Sequence, residues 1–414
     1  MNVVIPKVLK TCKIMLPSKK ADIAKWPVIA CDQFTSQRSY WESLADQIGD
    51  APSTLKLILP EVYLEDTDVS GRIDEIHKNM HAFLEQGLME ELPEGAVITE
   101  RTTVYGRKRT GLIIAADLEA YSYTDTKNAA ILPTEATVPE RIPPRLEVRR
   151  GAVLELPHVM LLVDDKDNRF MQTIKTLQKR EVYDTKLLKE GGHVRGWFIE
   201  KDFIAPLLED FLRGLANEHD GIVAAVGDGN HSLATAKALW EEKKNSGVKD
   251  GHPARYSLVE VVSIHDPGLA FEPIHRLVFD CNADTTMDML SDVTADSQVL
   301  NTKLTDNMQI QQDEIIISDG KKTYKVKLNQ DRLAVEQVQY ELDKHNNIKM
   351  DYTHGYLHTM ELTETGKNTA IFLPAIPREE VFATIQKRKV FPRKSFSLGE
   401  AEEKRYYLEA RRIE

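Results

Sequence analysis

Cysteine is scarce in this 414-residue chain: Cys12, Cys31 and Cys281 are far apart and odd in number. Such a set builds neither a disulfide framework nor a zinc pattern, and it suits a reducing compartment. Long apolar runs are missing too. None approaches the ~20 residues that span a bilayer. Met1 to Leu16 alternates Lys with apolar residues and lacks the apolar core and small-residue cleavage site of a secretory leader. Positive charge is in deficit, with a net charge of −11, which disfavours nucleic acid or an anionic membrane as partner. Internal repeats and low-complexity tracts are absent, which points away from a scaffold. The expectation is a cytoplasmic protein acting on a small molecule, with its oligomeric state open.

What is present is ample apolar material. Hydrophobic residues make up 42% of the chain, and the length favours two or three domains. Ile73, Ile76, Met80, Phe83 and Leu84 fall on one face of a helix expected over 70–88. Val97 to Tyr105 and Thr110 to Ala116, joined at Gly106-Arg107-Lys108, read as a hairpin. The segment from Ile131 to Leu156 holds Pro133, Pro139, Pro143 and Pro144, has no steady period, and reads as a structured functional loop. A strand over 158–163 follows, then helices over about 169–179 and 202–217, a strand over 257–264, and a hairpin at Asp319-Gly320. Pro377 is expected to open a helix reaching Arg388. The charge-rich tail from Gly399 to Glu414 reads as an exposed helix. The working division is an α/β phosphate-binding region over 1–280 and an α+β region over 281–414 that adds late motifs to the site.

The most informative chemistry sits at Gly227-Asp228-Gly229-Asn230-His231-Ser232. The apolar run Ile222 to Val226 reads as a buried strand, and a helix is expected from about Ser232 to Lys244. Gly227 and Gly229 allow a tight turn or close approach of backbone to a ligand. The helix then points unsatisfied N–H groups and the positive end of its dipole above the turn, a natural phosphate seat. Asp228 can bind a metal or act as a base, while Asn230, His231 and Ser232 can line the phosphate. Many such junctions bind nothing, and on local sequence both readings stand. The loop is not a P-loop, because the Lys-Ser/Thr ending is absent, nor a dinucleotide fingerprint, because the third glycine is missing. Gly-Asn-His also occurs in two-metal phosphoesterases, but their upstream Asp-x-His and Gly-Asp-x-x-Asp elements are not found here.

Taken with Ala234-Thr235-Ala236, this loop resembles the Asp-Gly-His-His-Arg…Thr-Ala motif of an uncharacterised prokaryotic family known by a domain-of-unknown-function label. Pro267-Gly268-Leu269, Pro273-Ile274-His275-Arg276-Leu277-Val278, Thr134-Glu135-Ala136-Thr137, Asp351-Tyr352-Thr353-His354-Gly355 and Pro392-Arg393-Lys394-Ser395 are similar to further motifs of that family, in its order. The resemblance runs from Ala30-Cys31-Asp32 to Ser395. The loop is also similar to those of ParB nucleotide-binding domains, sulfiredoxin and free-serine kinases. This implies an α/β fold: a mixed sheet with a ParB/sulfiredoxin-like core expanded by insertions, plus a smaller α+β C-terminal region. It further implies that Asp228 is a catalytic or metal-binding carboxylate and that Gly229 and His231 line a phosphate site. Asn230 replaces the family's first His and Ser232 its Arg, which removes a bidentate phosphate clamp. Arg276, Lys394, Arg107 and Arg141 are the candidates to supply the missing cation.

Glu135 is the expected second carboxylate beside Asp228. Together they can share Mg²⁺ and a substrate hydroxyl, one acting as general base; the alternative is a surface Glu. His275-Arg276 reads either as a second phosphate contact or as a solvated pair at a strand start. Asp32 can hold an amino group or make a turn, and Arg141 is chosen over Glu140 and Arg145 as a substrate anchor. His354 reads as a ligand contact or a core His. The runs Arg107-Lys108-Arg109 and Lys387-Arg388-Lys389 read as solvated faces, with Arg107 kept as a substrate contact. The resemblance thus implies phosphoryl transfer to the hydroxyl of a small metabolite, free L-serine foremost, from a nucleotide or pyrophosphate with Mg²⁺. A nucleotide-binding regulatory protein without turnover and a phosphohydrolase are the alternatives.

Overall fold

Period-2 apolar patterns and turn glycines place most strands where the sequence puts them. The computed structural model describes residues 8–124, 129–300, 309–329, 332–345, 347–388 and 390–414. Two compact units share the chain: Met1–Leu269 with Ile385–Lys389 and Glu400–Glu414, and Ala270–Thr384 with Val390–Gly399. Lys389 of the second basic run and the first residues of the N-terminal stretch lie outside the described residues.

In the first unit the strands are β1 (Leu9–Lys10), β2 (Cys12–Pro17), β3 (Val28–Ile29), β4 (Met89–Thr102), β5 (Lys108–Asp117), β6 (Ile131–Pro133), β7 (Leu154–Glu155), β8 (Met160–Val163), β9 (Arg180–Lys186), β10 (His193–Glu200), β11 (Ala224–Asp228) and β12 (Tyr256–Ser263). Its helices are α1 (Arg38–Ile48), α2 (Val69–Glu85), α3 (Ile142–Arg149), α4 (Arg169–Thr176), α5 (Lys201–Glu218) and α6 (Asn230–Asn245). Among the described residues a ten-stranded mixed sheet runs β6-β11-β8-β12-β5-β4-β10-β9, with β1 on β5 and β2 on β4. The fold is mixed α/β. β6 and β11 pair in parallel with Pro133 opposite Val226, and β8 and β11 pair antiparallel.

Strand alternation divides the sheet into two faces. Ile98, Leu112, Ile114 and Ile199 meet Ile174 of α4, Leu208 of α5 and Trp240 of α6 in one apolar core. Val97, Ile113 and Leu258 face the other way, towards Trp41 of α1, Met80 of α2 and the tail residues Tyr406 to Leu408.

Among the described residues the second unit carries a six-stranded antiparallel sheet: Thr294–Val299, Thr323–Leu328, Glu314–Ser318, Thr369–Phe372, His275–Val278 and Met350–Thr353, in that order. Asp319-Gly320 makes the expected turn, with Asp319 Oδ1 accepting from the amides of Lys321 and Lys322.

Two expectations fail for physical reasons. The proline-rich segment contains α3, because Pro143 and Pro144 fall in the first helical turn, where no N–H is needed. The tail is no exposed helix: a 3-10 turn at Ala401–Glu403 precedes short strands at Tyr406–Tyr407 and Arg411–Arg412, paired with β3 and β7. Its charged residues Glu403, Arg405, Glu409 and Arg411 are buried. Charge at helical spacing misled because those charges pair inside the fold. No helix of the described residues is long and apolar enough to cross a membrane.

Candidate functional site

The loop after β11 is built as its residues require. Gly229 adopts φ 78°, and a Cβ there would lie 3.0 Å from Val159 Cα and 3.3 Å from His158 Cδ2. The left-handed backbone strains any side chain there, and Val159 and His158 would have to give way to one. The helix α6 begins at the next residue and has no side-chain cap at its start, which leaves its first amides facing the mouth of the turn. Thr134 at the end of β6 ties the neighbouring segment down by donating to Val226 O at 2.7 Å.

The loop's polar side chains divide in use. Asp228 Oδ1 accepts from Gly229 N at 3.0 Å, and Asp228 Oδ2 lies 3.4 Å from Lys404 Nζ. Asn230 is buried: Nδ2 reaches Thr134 Oγ1 at 3.5 Å, and Oδ1 has no hydrogen-bond partner. His231 Nε2 accepts from Val138 N at 3.3 Å, which pins the proline-rich segment to the loop. Ser232 is half-buried in the first turn of α6. Glu135 follows Pro133 at the same interval as Asp228 follows Val226, so the two residues come at matching positions at the same end of the parallel pair β6–β11; Glu135 is half-buried.

Asp32 is the second acidic residue drawn here. Its Oδ2 lies 3.7 Å from Nε2 of His158, the residue packed under Gly229. Burial alone would raise the Asp32 carboxyl, yet His158, Gln33 and the charge of Lys404 hold it below the usual carboxylate range. His158 Nδ1 meets the Tyr407 hydroxyl at 2.7 Å, and that hydroxyl accepts from Cys31 N at 3.2 Å. The same hydroxyl donates to Cys31 Sγ at 3.1 Å. Burial, then the charge of Asp32, pushes the Cys31 thiol up, so it is no nucleophile. Glu61 pairs with Arg145 of α3, and its amide donates to Cys31 O at 2.8 Å. Burial raises Glu61, Arg145 offsets this, and the charge of Asp32 adds to the rise.

Lys404 Nζ is thus the cation at Asp228, and sequence reasoning passed over it. Lys404, His158, Glu61 and Tyr407 carry no motif of their own, and only pairing of the tail with β3 brings residues 404–407 here. Among the arginines, Arg145 reaches the acidic group at Glu61, while the exposed Arg141 offers its backbone carbonyl to Arg145 Nη1 at 2.6 Å. Arg107 Nη1 pairs with Glu403 Oε2 at 2.8 Å, one residue from Lys404. Arg109 is no solvated charge: it is buried, with Nε 3.6 Å from Glu260.

His275, Arg276, His354 and Lys394 belong to the second unit. His275 and Arg276 open a strand as expected but are not solvated. The Arg276 guanidinium donates to Gln339 Oε1 at 2.9 Å, Ile274 O at 2.7 Å and Lys394 O at 3.0 Å. His275 Nδ1 accepts from Leu373 N at 3.2 Å, and burial, with His354 and Arg276 nearby, depresses its pKa to about 4. These bonds give the pair a structural part within its own unit. His354 is half-buried, and Lys394 is exposed with φ 56°.

A ready-made metal cage is not found at Asp228. Among the described residues the one group of three potential ligand atoms within 4.8 Å is Asp164, Glu218 and His219. Asp228, Asp32 and Glu61 are hard oxygen donors on separate segments, a set that suits Mg²⁺ carried in on phosphates and not an ion held by protein alone.

A strand–glycine turn–helix junction flanked by a Lys–Asp pair and an Asp–His pair is thus set on the mixed sheet of an α/β protein. Residues 12–345 match the family described as "Protein of unknown function (DUF1015)", and the chain belongs to it. No curated protein matches the sequence. Among solved structures, a conserved hypothetical protein from Pyrococcus furiosus is 13% identical, with 72% of this chain and 90% of that chain covered and a TM-score of 0.35. A free serine kinase in complex with AMP is 12% identical over 73% and 91%, TM-score 0.38. SbnI with a C-terminal truncation from Staphylococcus aureus is 10% identical over 69% and 82%, TM-score 0.37. At these TM-scores the likenesses carry no functional weight.

Proposed function

We propose that the protein is a phosphotransferase acting on the hydroxyl of a small metabolite, with free L-serine as the leading acceptor and a nucleotide or pyrophosphate as donor. The observation that carries this reading is the convergence on one glycine turn of an Asp228–Lys404 pair and an Asp32–His158 pair. Phosphoryl transfer asks mostly for positioning and charge neutralisation. The amides of Asn230 to Ser232 would hold phosphate oxygens. Lys404 would neutralise the moving charge, taking over from the family's Arg at position 232. Asp228, with Glu135 at the same edge, would accept the hydroxyl proton. Asp32 would take the acceptor's ammonium group. Asp228 and Asp32 would share Mg²⁺ where the donor brings it, and the ion would add charge neutralisation. In this reading the site of the first unit serves one small-molecule activity in the cytoplasm.

The test is to incubate the protein and Mg²⁺ with L-serine and ATP, ADP or pyrophosphate, following phosphorus by NMR. Phosphoserine should appear with one donor. Asp228→Asn should slow its formation by about 10²-fold or more, and Lys404→Met should act chiefly on kcat. Free phosphate without phosphoserine would replace this reading with a hydrolase. Tight nucleotide binding without turnover would replace it with a regulatory protein.

A further inference from the structure

The far end of the large sheet gathers metal-ligating side chains that the candidate site does not use. β8 and β12 run parallel with Ser263 beside Val163, so Asp164 and His265 follow their strands at the same end of the sheet. β11 runs the other way, with Asp228 beside Met160, which puts this group at the opposite end of β8 from the glycine turn. Helix α5 ends here in Glu218, with His219 as its C-terminal cap residue. His219 Nε2 lies 3.0 Å from Asp164 Oδ2, and His265 Nε2 lies 2.6 Å from Asp164 Oδ1. Ligand atoms of Asp164, Glu218 and His219 all fall within 4.8 Å of one another.

The group is anchored on one side and open on the other. His219 is buried, and each Asp164 oxygen faces an imidazole. The next residue, Asp165, accepts from the amides of Phe170 at 2.9 Å and Met171 at 3.0 Å, which fixes the backbone beside Asp164. Glu218, by contrast, is exposed and pairs with the exposed Lys166. A solvated pair of that kind contributes little and yields readily to a divalent ion. Ligand atoms on a tetrahedral zinc, with bonds of about 2.0–2.2 Å, stand about 3.4 Å apart. Turning the Glu218 side chain closes the set to that spacing. Outer contacts are already in place: His265 on the other Asp164 oxygen, and the Gln386 amide 3.5 Å from His219 Nδ1. Those are the positions from which carboxylate and imidazole ligands are oriented. The C-terminal end of α5 adds the negative end of its dipole. The imidazole favours a zinc-class ion over Mg²⁺, which takes oxygen ligands.

We propose that His219 Nε2, Asp164 Oδ2 and the Glu218 carboxylate bind one zinc-class divalent ion, with water completing a tetrahedral shell and with His265 and Gln386 holding the first two ligands in place. The ion clasps the ends of β8 and α5, and Lys166 turns out to solvent when it enters. The proposal is independent of the phosphotransferase reading.

The test strips the full chain with EDTA, removes the chelator, and titrates with ZnCl₂ by calorimetry in a large excess of MgCl₂. One equivalent should bind along a saturating curve. Glu218→Gln, an exposed change that leaves the core untouched, should weaken binding by more than the roughly tenfold cost of an outer-shell change, and His219→Ala should abolish it. Should His219→Ala fail to fold, crystals of the natural protein soaked in ZnCl₂ decide: an anomalous zinc peak between Asp164 and His219 is expected. No saturable binding, an affinity unchanged in Glu218→Gln, full competition by Mg²⁺, or zinc peaks only elsewhere would each overturn the proposal.

Discussion

The two faces of the large sheet solve the same burial problem with different chemistry. On one, α4, α5 and α6 lay apolar stripes over Ile98, Leu112, Ile114 and Ile199. Helices satisfy their own backbone, so that face needs only hydrocarbon. The other face is covered by α1 and α2 and also by irregular segments and the tail, whose carbonyls do not all pair within strands. Arginines answer them. Arg101 serves Gly191, Glu402 and Lys404, Arg405 serves Pro157, and Arg411 serves Pro253 and Tyr256. Buried carboxylates at Glu155, Glu260 and Glu409 then balance most of the guanidiniums. The helix-covered face gains stability from packing. The strap-covered face gains a fixed polar layer, and the candidate site lies along it.

The largest expected effect comes from breaking that layer. Glu260→Ala strands Arg109 and Arg405 and should cost about 3–5 kcal/mol, measured by urea unfolding. A cost under about 1 kcal/mol would show that water reaches these charges and that the contrast between the faces is overstated.

Acid sharpens the comparison further. Burial alone would raise Glu260, but Arg109 and Arg405 hold it below its ordinary 4.5. Its contribution is therefore fully present above about pH 4.5 and lost as pH falls through the lower folded value. His275 in the second unit behaves oppositely. Burial, then the charges of His354 and Arg276, lowers it from 6.5 to about 4, so the unfolded chain takes a proton first. The second unit should lose about 3 kcal/mol as pH falls from 6.5 to 4. All four tryptophans lie in the first unit. At pH 5, amide protection relative to the intrinsic exchange rate should thus fall in the second unit while tryptophan fluorescence holds. Equal protection factors at pH 7 and pH 5 would refute a neutral, buried His275.

The smallest effect belongs to the apolar face. Ile174→Val, on the buried side of α4, should cost about 1 kcal/mol and leave any activity unchanged. A loss of activity there would mean that the helix-covered face shapes the site after all.

The sequence alone determined the parts whose physics is local. The hairpin at Gly106, the apolar run into Gly227 and Gly229, the amphipathic helix at Ile73 to Leu84 and the Asp319-Gly320 turn follow from side-chain period and turn chemistry, and a motif set carried the family. Tertiary structure decided what depends on distant partners. His158 and Lys404 look like any basic residue until β8 and the tail bring them to Gly229 and Asp228. Arg276, a phosphate candidate on its motif, is drawn into its own unit by the carbonyls around it. The tail's charges suggested a solvated helix because a sequence does not show that Arg405 and Glu409 will find Glu260 and Tyr183 inside the fold. Charge pattern fixes where ions are placed along the chain, but only packing decides whether water or another ion will face them.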